Sequence, residues 1–351
     1  MSSISLCMIV KNEEQVLDRC LMSVKDLVDE IIIVDTGSTD STKQIAQKYT
    51  NKVFDFEWCN DFSKARNFAF QKAKSEYIMW LDADDVVPKI SLKQLLILKQ
   101  NMDKDVYMLK YNIAFSGKKC TFSYFRERII KNCPNCVWQG AVHECITPFG
   151  NIQRLNICIE HRKVKFDISD RNLKIYQNLA KTRQLCAREQ YYFARECFDH
   201  KKYKKCILLL KKFVKMQDAW IENVIDAYYL MSICYNALDD KNSSLECLFK
   251  TFEFDAPRAN ICCLVGDYFL SINNFQTAIY WYNIATKCKD VTSRGGFVET
   301  KYYGYYPNLQ MCVCYYKLGD ILKAKKCNEK AGKCIKSQIV ENNKKFFENI
   351  K

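Results

Sequence analysis

The stretch Tyr77-Ile-Met-Trp-Leu-Asp-Ala-Asp-Asp85 is an apolar run that ends in a cluster of acids. A second run of the same kind, Glu30 to Val34, leads directly into Asp35. Short apolar runs between polar turns are typical of buried strands. Segments with helical spacing separate these runs, and strands that alternate with helices indicate a parallel sheet covered on both faces. Ligands bind such sheets at the carboxyl ends of the strands, so we expect both acidic segments at one binding edge.

The same alternation extends over the first part of the chain. The spacing of apolar residues and the turn residues predict strands over 4–10, 30–34, 52–56 and 77–81, and helices over 14–24, 42–49 and 63–74. This pattern predicts a Rossmann-like, mostly parallel α/β domain.

Asp82 and Asp84 lie one residue apart at a predicted strand end. Two carboxylates that converge on one point are costly without a cation, and oxygen ligands suit Mg²⁺ or Mn²⁺. A divalent ion held by carboxylates commonly meets a phosphate on its other side. The alternative for this segment alone is an acidic turn in solvent.

Four segments together resemble family 2 glycosyltransferases of the GT-A fold: residues 4–14, 31–40, 65–69 and 81–85. The resemblance covers about residues 3–165. It implies an inverting transferase that uses a nucleotide-diphosphate sugar, which we expect to be UDP-linked, and a divalent metal ion, Mn²⁺ or Mg²⁺.

The resemblance also implies roles for individual residues. Asp35 would contact the base or ribose, Arg66 would support the nucleotide, Asp82 would reach the ribose, and Asp84 would hold the metal ion. The remaining residues expected on the nucleotide-sugar side are Val10, Asn12, Glu13, Gly37 and Ala83. Many relatives have two acids before the Gly-Ser pair, whereas this sequence has Thr36 at the second position.

Residues 138–144 resemble the family's acceptor-side segment, in which an acid deprotonates the nucleophile. An inverting transfer needs one general base, and we expect Glu144 to be that base. His143 is expected on the acceptor side or in the core, and Trp138 as an acceptor platform or a core residue. His161 matches the place where many GT-A enzymes supply a metal ligand; the alternative is a surface histidine.

From about residue 170 the pattern is helical and repeats. Pairs of small residues twelve positions apart recur along the chain, namely Ala194/Cys206, Ser232/Ser244, Gly266/Ala278 and Cys312/Ala324. Small residues are needed where two antiparallel helices cross closely. The pattern resembles tetratricopeptide (TPR) repeats, and it predicts four helical hairpins with a loop at 294–296.

We therefore predict two domains, a GT-A domain over 1–168 and a TPR-like domain over 169–351. Residues 1–168 hold 24 Lys and Arg against 21 Asp and Glu, whereas residues 169–351 hold 30 against 19. The whole arrangement resembles the sublancin-type peptide glycosyltransferases. This predicts a protein or peptide acceptor recruited by the repeats. The alternatives are transfer to a saccharide or lipid-linked glycan with the repeats used for assembly, for instance as a homodimer, and a non-catalytic repeat scaffold.

Composition excludes other classes. No run approaches 18 apolar residues, which argues against a membrane-spanning helix, and the charged N-terminus argues against a signal peptide. We therefore expect a cytoplasmic protein with reduced cysteines. The pair Cys133 and Cys136 has metal-clip spacing, but a second such pair is absent from the sequence, so structural zinc is disfavoured. The basic surface lacks a nucleic-acid-binding motif, and we expect no nucleic-acid partner.

Overall fold

The computed structural model describes residues 1–117, 119–164, 169–291 and 298–349. The chain divides into two compact units, Met1–Arg183 and Gln184–Lys351. The boundary predicted at 168 and the loop predicted at 294–296 both fall on residues outside this description. The helix Arg171–Thr182, which follows the predicted boundary, belongs to the first of these units.

The first unit is built on a mostly parallel sheet. Its described strands are β1 (Ile4–Val10), β2 (Glu30–Asp35), β3 (Val53–Asp55), β4 (Tyr77–Trp80), β5 (Asp85–Val86), β6 (Val106–Ser116), β7 (Lys119–Lys131) and β10 (Ile152–His161), in the order β3-β2-β1-β4-β7-β6-β10-β5. Strands β5 and β7 run antiparallel to their neighbours. A separate two-stranded ribbon pairs β8 (Trp138–Gln139) with β9 (Cys145–Ile146).

Helices cover both faces of this sheet. They are α1 (Leu17–Val24), α2 (Thr42–Gln47), α3 (Phe62–Phe70) and α4 (Lys89–Lys99); a further helix of this unit, α5 (Arg171–Thr182), follows β10 in the chain. Successive side chains of a strand point to opposite faces. Accordingly, Leu6 and Met8 pack into one buried cluster and Cys7 into another. The central strands are therefore mostly apolar on both faces, with Ser5 a buried exception, and polar groups collect where the strands end.

The second unit is all-helical. Its described helices are α6 (Ala187–Asp199), α7 (Tyr203–Phe213), α8 (Ile221–Ala237), α9 (Lys241–Lys250), α10 (Ala259–Ser271), α11 (Phe275–Ala285), α12 (Tyr305–Lys317), α13 (Ile321–Cys334) and α14 (Gln338–Glu348). Each predicted pair of small residues lies on the two helices of one hairpin: α6/α7, α8/α9, α10/α11 and α12/α13. The predicted fold class, a GT-A-type α/β unit followed by TPR-like repeats, is confirmed.

The four hairpin turns share one backbone conformation. Lys201, Asp239, Asn273 and Gly319 all have positive φ, and each lies two residues before the second helix. The next amide then donates back to the preceding helix, for example Asp240 N to Tyr235 O at 2.9 Å. This is the usual way in which a left-handed residue ends a helix and satisfies its last carbonyls.

The twenty cysteines, all within the described residues, are free thiols. Cys133 and Cys136 lie in one turn, in which Cys136 N donates to Cys133 O at 2.9 Å. Among the described helices, not one combines the length and the apolar character that a membrane crossing requires.

Candidate active site

A cavity of about 440 Å³ opens at the carboxyl ends of β1 and β4. Its lining contains nine of the residues predicted for the site: Val10, Glu13, Arg66, Asp82, Ala83, Asp84, His143, Glu144 and His161. These residues come from distant parts of the sequence. Those that follow β1 and β4 meet here because parallel strands end at the same edge of a sheet. Arg66 reaches the cavity from α3, and His143 and Glu144 reach it from the segment between β8 and β9.

Arg66 of α3 forms the centre of the cavity wall. Its Nε donates to Glu144 Oε1 at 2.6 Å and its terminal nitrogen to Asp82 Oδ1 at 2.7 Å. The guanidinium carbon also lies 5.2 Å from the ring centre of Trp80 and 4.7 Å from that of Trp138. One buried cation therefore fixes two carboxylates and itself lies against a pair of contacting indole rings.

These contacts change how the groups titrate. Burial disfavours the charge on Arg66, but the charges of Asp82 and Glu144 outweigh burial and raise the pKa of Arg66. Burial would raise the pKa of Asp82, yet Arg66 and Arg128 lower it to about 2. Both groups are charged at neutral pH, so the wall of the cavity is an ion network.

Asp84, Asp85 and His161 form a second cluster, in which one ligand atom from each lies within 4.8 Å of the others. His161 Nδ1 is 3.2 Å from Asp84 Oδ1 and 2.9 Å from the hydroxyl of Tyr111. Burial opposes the charge on His161, but the hydrogen bonds and charges of Asp84 and Asp85 outweigh it and raise its pKa to about 9. Carboxylate oxygen and imidazole nitrogen are suitable ligands for a divalent cation.

The members of this cluster differ in their other contacts. Asp85 is fully buried, and it accepts hydrogen bonds from Arg128 at 2.9 Å, Tyr111 at 2.8 Å and the amide of Asp82 at 3.0 Å. Asp84 and His161 are partly exposed and line the cavity. Asp84 and His161, the two residues predicted for the metal ion, therefore face the cavity. Asp85 instead accepts its hydrogen bonds from buried groups of the protein.

The remaining residues predicted for the nucleotide, Asn12, Asp35 and Gly37, lie at the ends of β1 and β2 and in the loop after β2, outside the cavity lining. Asp35 Oδ1 accepts from the amides of Gly37 at 2.9 Å and Ser38 at 2.8 Å. Its Oδ2 is buried and has no hydrogen-bond partner among the described residues. Asn12 Oδ1 accepts from Thr39 N at 2.8 Å, so it supports this loop from the end of β1. Thr36 lines the cavity, and its hydroxyl donates to Val10 O at 3.1 Å.

We call residues 141–144 the base loop, because they end at Glu144, the residue that we expect to be the general base. His143 has φ of 52°, a conformation that is uncommon for residues other than glycine. The side chain of Glu144 is 11% exposed at the cavity. Trp138 is 2% exposed, and its ring contacts Trp80 with centroids 4.8 Å apart. The structure thus places Trp138 in the core under Arg66.

Sequence reasoning missed several lining residues: Trp58, Phe62, Arg126, Lys163, Arg171 and Asn172. Arg126 lies 5.0 Å from the ring centre of Trp80. Near the end of β7 three consecutive charged residues, Arg126, Glu127 and Arg128, interrupt a run of apolar residues, and this pattern is the available signal. For Arg171, which contacts the ring of Phe62 at 4.6 Å, no such signal exists.

Several known proteins are similar to this chain. Residues 5–147 match the family model described as glycosyl transferase family 2. A TPR repeat-containing protein of Synechococcus elongatus is 37% identical over 147 residues, which are 42% of this chain and 36% of the relative. The prophage-derived glycosyltransferase SunS of Bacillus subtilis is 28% identical over 291 residues, which are 77% of this chain and 66% of the relative.

Among solved structures, Staphylococcus aureus TarS in complex with UDP-GlcNAc has a TM-score of 0.42 and 18% identity, covering 69% of this chain and 89% of that one. The chain spans about a third of one of these curated relatives and about two thirds of the other. It carries a glycosyltransferase family 2 domain followed by TPR-like hairpins, and it is similar in sequence to the glycosyltransferase SunS.

Proposed function

We propose that this protein is an inverting, metal-dependent glycosyltransferase that moves a sugar from a nucleotide-diphosphate sugar, UDP-linked, to a side chain of a protein or peptide. The observation that carries the proposal is the position of Glu144. Its carboxylate is bound to Arg66 at 2.6 Å and lines the same cavity as the Asp84–His161 pair. A base and a metal-binding pair in one cavity are the two components that such a transfer requires.

The donor site would include the β2 loop. Asp35 Oδ2 is buried and, among the described residues, lacks a hydrogen-bond partner. A buried acceptor without a donor is costly, and an N–H or O–H group of the base or ribose would satisfy it. Asp82, whose Oδ1 is bound to Arg66, keeps a second oxygen for the ribose. Val10, Glu13 and Ala83 would line the nucleotide.

The donor set at Asp84 and His161 fits a divalent ion, Mn²⁺ or Mg²⁺, since one oxygen and one nitrogen ligand leave positions for phosphate oxygens. The chemistry of such an ion is to neutralise the charge of the departing diphosphate. Glu144 takes the proton of the incoming nucleophile as the nucleophile attacks the anomeric carbon. The bond from that carbon to the diphosphate oxygen breaks, and its electron pair leaves with the diphosphate. Arg66 holds Glu144 in place during this step.

A hydrolysis screen tests this function without knowledge of the acceptor. The full chain is incubated with a panel of nucleotide sugars and Mn²⁺ or Mg²⁺, and free nucleoside diphosphate is measured. We expect hydrolysis of one UDP-sugar that requires the metal ion and is lost in Asp84→Ala. Glu76→Gln, an exposed change outside the cavity lining, is the matched control. Metal-independent hydrolysis, or unchanged donor affinity of Asp84→Ala by calorimetry, would contradict the proposal.

For the acceptor, the second unit offers a basic surface. Exposed lysines cover one side of α7 and its ends, a surface that we call the lysine face: Lys201, Lys204, Lys205, Lys211, Lys212 and Lys215. The sequence between residues 200 and 217 contains no Asp or Glu. Such a surface attracts acidic partners, and the attraction is screened over about 8 Å at physiological ionic strength. We propose that it recruits an acidic segment of a polypeptide acceptor.

Charge reversal tests this recruitment. Lys204→Glu, Lys211→Glu and Lys215→Glu together should leave donor hydrolysis unchanged and weaken transfer to a polypeptide acceptor, more strongly at low salt. The matched control reverses Lys323, Lys326 and Lys330 on α13, where the charge change is the same. Equal transfer by all three proteins would show that the lysine face does not recruit the acceptor.

Transfer to a glycan is the second candidate. A poly(ribitol-phosphate) β-N-acetylglucosaminyltransferase, TarS of Staphylococcus aureus, is 33% identical over 103 residues, which are 28% of this chain. If the acceptor is a glycan, glycan polymers and not peptides will accept the sugar, and the repeats will serve assembly, for instance in a homodimer.

A non-catalytic scaffold is less compatible with intact Asp82, Asp84 and Glu144. A cytoplasmic location also stays a prediction.

A further inference from the structure

The base loop, residues 141–144, is held by two helices through consecutive carbonyl oxygens. The amide of Phe62, at the start of α3, donates to Ala141 O at 2.9 Å. The hydroxyl of Tyr176, on α5, donates to Val142 O at 3.0 Å. The chain then turns through His143 with positive φ, and Glu144 reaches Arg66 at 2.6 Å.

The contact with α5 is well placed to fix this loop. Tyr176 is 1% exposed, and its ring lies nearly parallel to that of His143 at an angle of 16°. The same helix supplies Arg171 and Asn172 to the cavity wall. Arg171 stacks on Phe62, so α5 also contacts the start of the helix that carries Arg66.

Helix α5 lies outside the residues matched by the family model, 5–147. We infer that α5 is nevertheless part of the active site, and that Tyr176 is a positioning residue that holds the base loop so that Glu144 meets Arg66 and the nucleophile. The inference rests on the proposed role of Glu144. A misplaced base loses rate because proton transfer requires hydrogen-bond reach, while donor binding at the strand ends is not affected.

One consequence concerns the domain boundary. A truncation after residue 168 removes α5 together with the second unit. Loss of activity on such a truncation would not show a function of the repeats, because the base loop would also lose Tyr176.

The test uses the full chain and hydrolysis of UDP-glucose and UDP-N-acetylglucosamine with Mn²⁺, in which water replaces the acceptor. Tyr176→Phe removes only the hydroxyl. We expect kcat to fall about tenfold with KM for the sugar nucleotide unchanged, since one interaction that acts on the base is lost. Tyr107→Phe is the matched control, because Tyr107 is also buried and its hydroxyl accepts from a backbone amide, Asp103 N at 2.8 Å.

A double variant separates positioning from general damage. In a Glu144→Gln background the base is already absent, so Tyr176→Phe should cause no further loss, because residues that act as a unit are not additive. Replacement of Tyr176 by para-aminophenylalanine keeps the shape and an N–H donor, and it should restore hydrolysis. If Tyr176→Phe does not fold, this replacement carries the test alone: hydrolysis near the wild-type rate supports the inference, and loss in a folded protein overturns it.

The possible failures are distinguishable. If the wild type hydrolyses neither sugar nucleotide nor any other in the screen, the proposed function fails. If the wild type is active and Glu144→Gln is not, but Tyr176→Phe equals wild type, the proposed function stands and the inference is wrong. An additive loss in the double variant also overturns it.

Discussion

In the first unit, charged side chains are buried and paired where the strands end, whereas the helix crossings in the second unit are made by small side chains. Arg66 binds Asp82 and Glu144, and Arg128 binds Asp85. In the repeats, the first small residue of each hairpin pair is buried or closely packed at the helix crossing; these residues are Ala194, Ser232, Gly266 and Cys312. Buried charge is costly unless it is paired, and the second unit also holds one such pair, Arg258 with Glu222 at 2.8 Å. What distinguishes Arg66, Asp82 and Glu144 is that they line the cavity. Small-residue crossings indicate only close packing.

The largest effect that this contrast predicts is on the base. Glu144→Gln keeps the shape of the side chain and an oxygen that can accept from Arg66, but it removes the basicity. We expect transfer or hydrolysis to fall roughly 10²–10⁴-fold, the usual contribution of a general base. Donor affinity, measured by calorimetry, should be unchanged. Full activity of Glu144→Gln would move the search for the base to Asp103, Asp105 or Glu127.

Within the first unit, the neighbouring acids Asp84 and Asp85 should differ in how much each contributes to stability. Asp85→Ala leaves Arg128 buried without its partner, and we expect a loss of about 3–5 kcal/mol in the free energy of unfolding. Asp84→Ala removes a partly exposed carboxylate, and the effect on stability should be within about 1 kcal/mol. Urea unfolding followed by tryptophan fluorescence measures both, since Trp80 lies against Arg128 at 3.8 Å. Equal destabilisation would contradict the assignment of Asp85 to the fold.

The same pair of acids shows what sequence could and could not predict. The strand before Asp82 and the repeat positions were predictable because they depend on local spacing. The pairing of Arg66 with Glu144 joins residues 78 apart, and that of Arg128 with Asp85 joins residues 43 apart. Local sequence patterns do not indicate pairs that are so far apart in the chain. Which acid after β4 points inward depends on the turn geometry, so local spacing alone does not separate Asp85 from Asp84; the choice of Asp84 rests on the family resemblance. Helix α5 continues the helical pattern of the repeats, so its sequence alone does not indicate a contact with the base loop.

For the second unit, the close crossing at Gly266 gives the next prediction. A Cβ added at Gly266 would lie 2.6 Å from the ring of Tyr282, which is fully buried and whose hydroxyl donates to Asp267 at 2.6 Å. We expect Gly266→Ala to destabilise by about 1–3 kcal/mol, despite the better helix propensity of alanine. Cys312→Ala, the equivalent position of the fourth hairpin, is the control. An increase in the thermal midpoint of Gly266→Ala would contradict the packing argument.

The first hairpin differs from the others at the start of its second helix. Asp240, Asn274 and Asp320 each accept from a backbone amide of the first turn, whereas Lys202, with a similar backbone conformation, has no side-chain cap among the described residues. Lys202→Asp should therefore stabilise the unit by about 0.5–2 kcal/mol. Lys202→Gln removes the charge without a good cap, and it should give less. If both variants gain equally in urea midpoint, the gain comes from charge and not from capping.

The smallest predicted effect distinguishes two caps that look alike. Asp240 accepts from Ser243 N at 3.0 Å, and this hydrogen bonding lowers the pKa of Asp240 below its usual value. A carboxyl whose pKa is lower in the folded state stabilises the fold fully above its unfolded pKa, about 3.9, and stabilises it less as pH falls toward the folded pKa.

Asn274 caps α11 through its own side chain, at 3.2 Å from Thr277 N, and does not titrate. Asp240→Asn should therefore match wild type in urea midpoint from pH 7 to 5 and lose less stability than wild type below pH 4. Asn274→Asp should lose more stability than wild type below pH 4, because it adds one cap that titrates. Parallel pH curves for all three proteins would mean that the caps do not contribute to the acid sensitivity of the repeats.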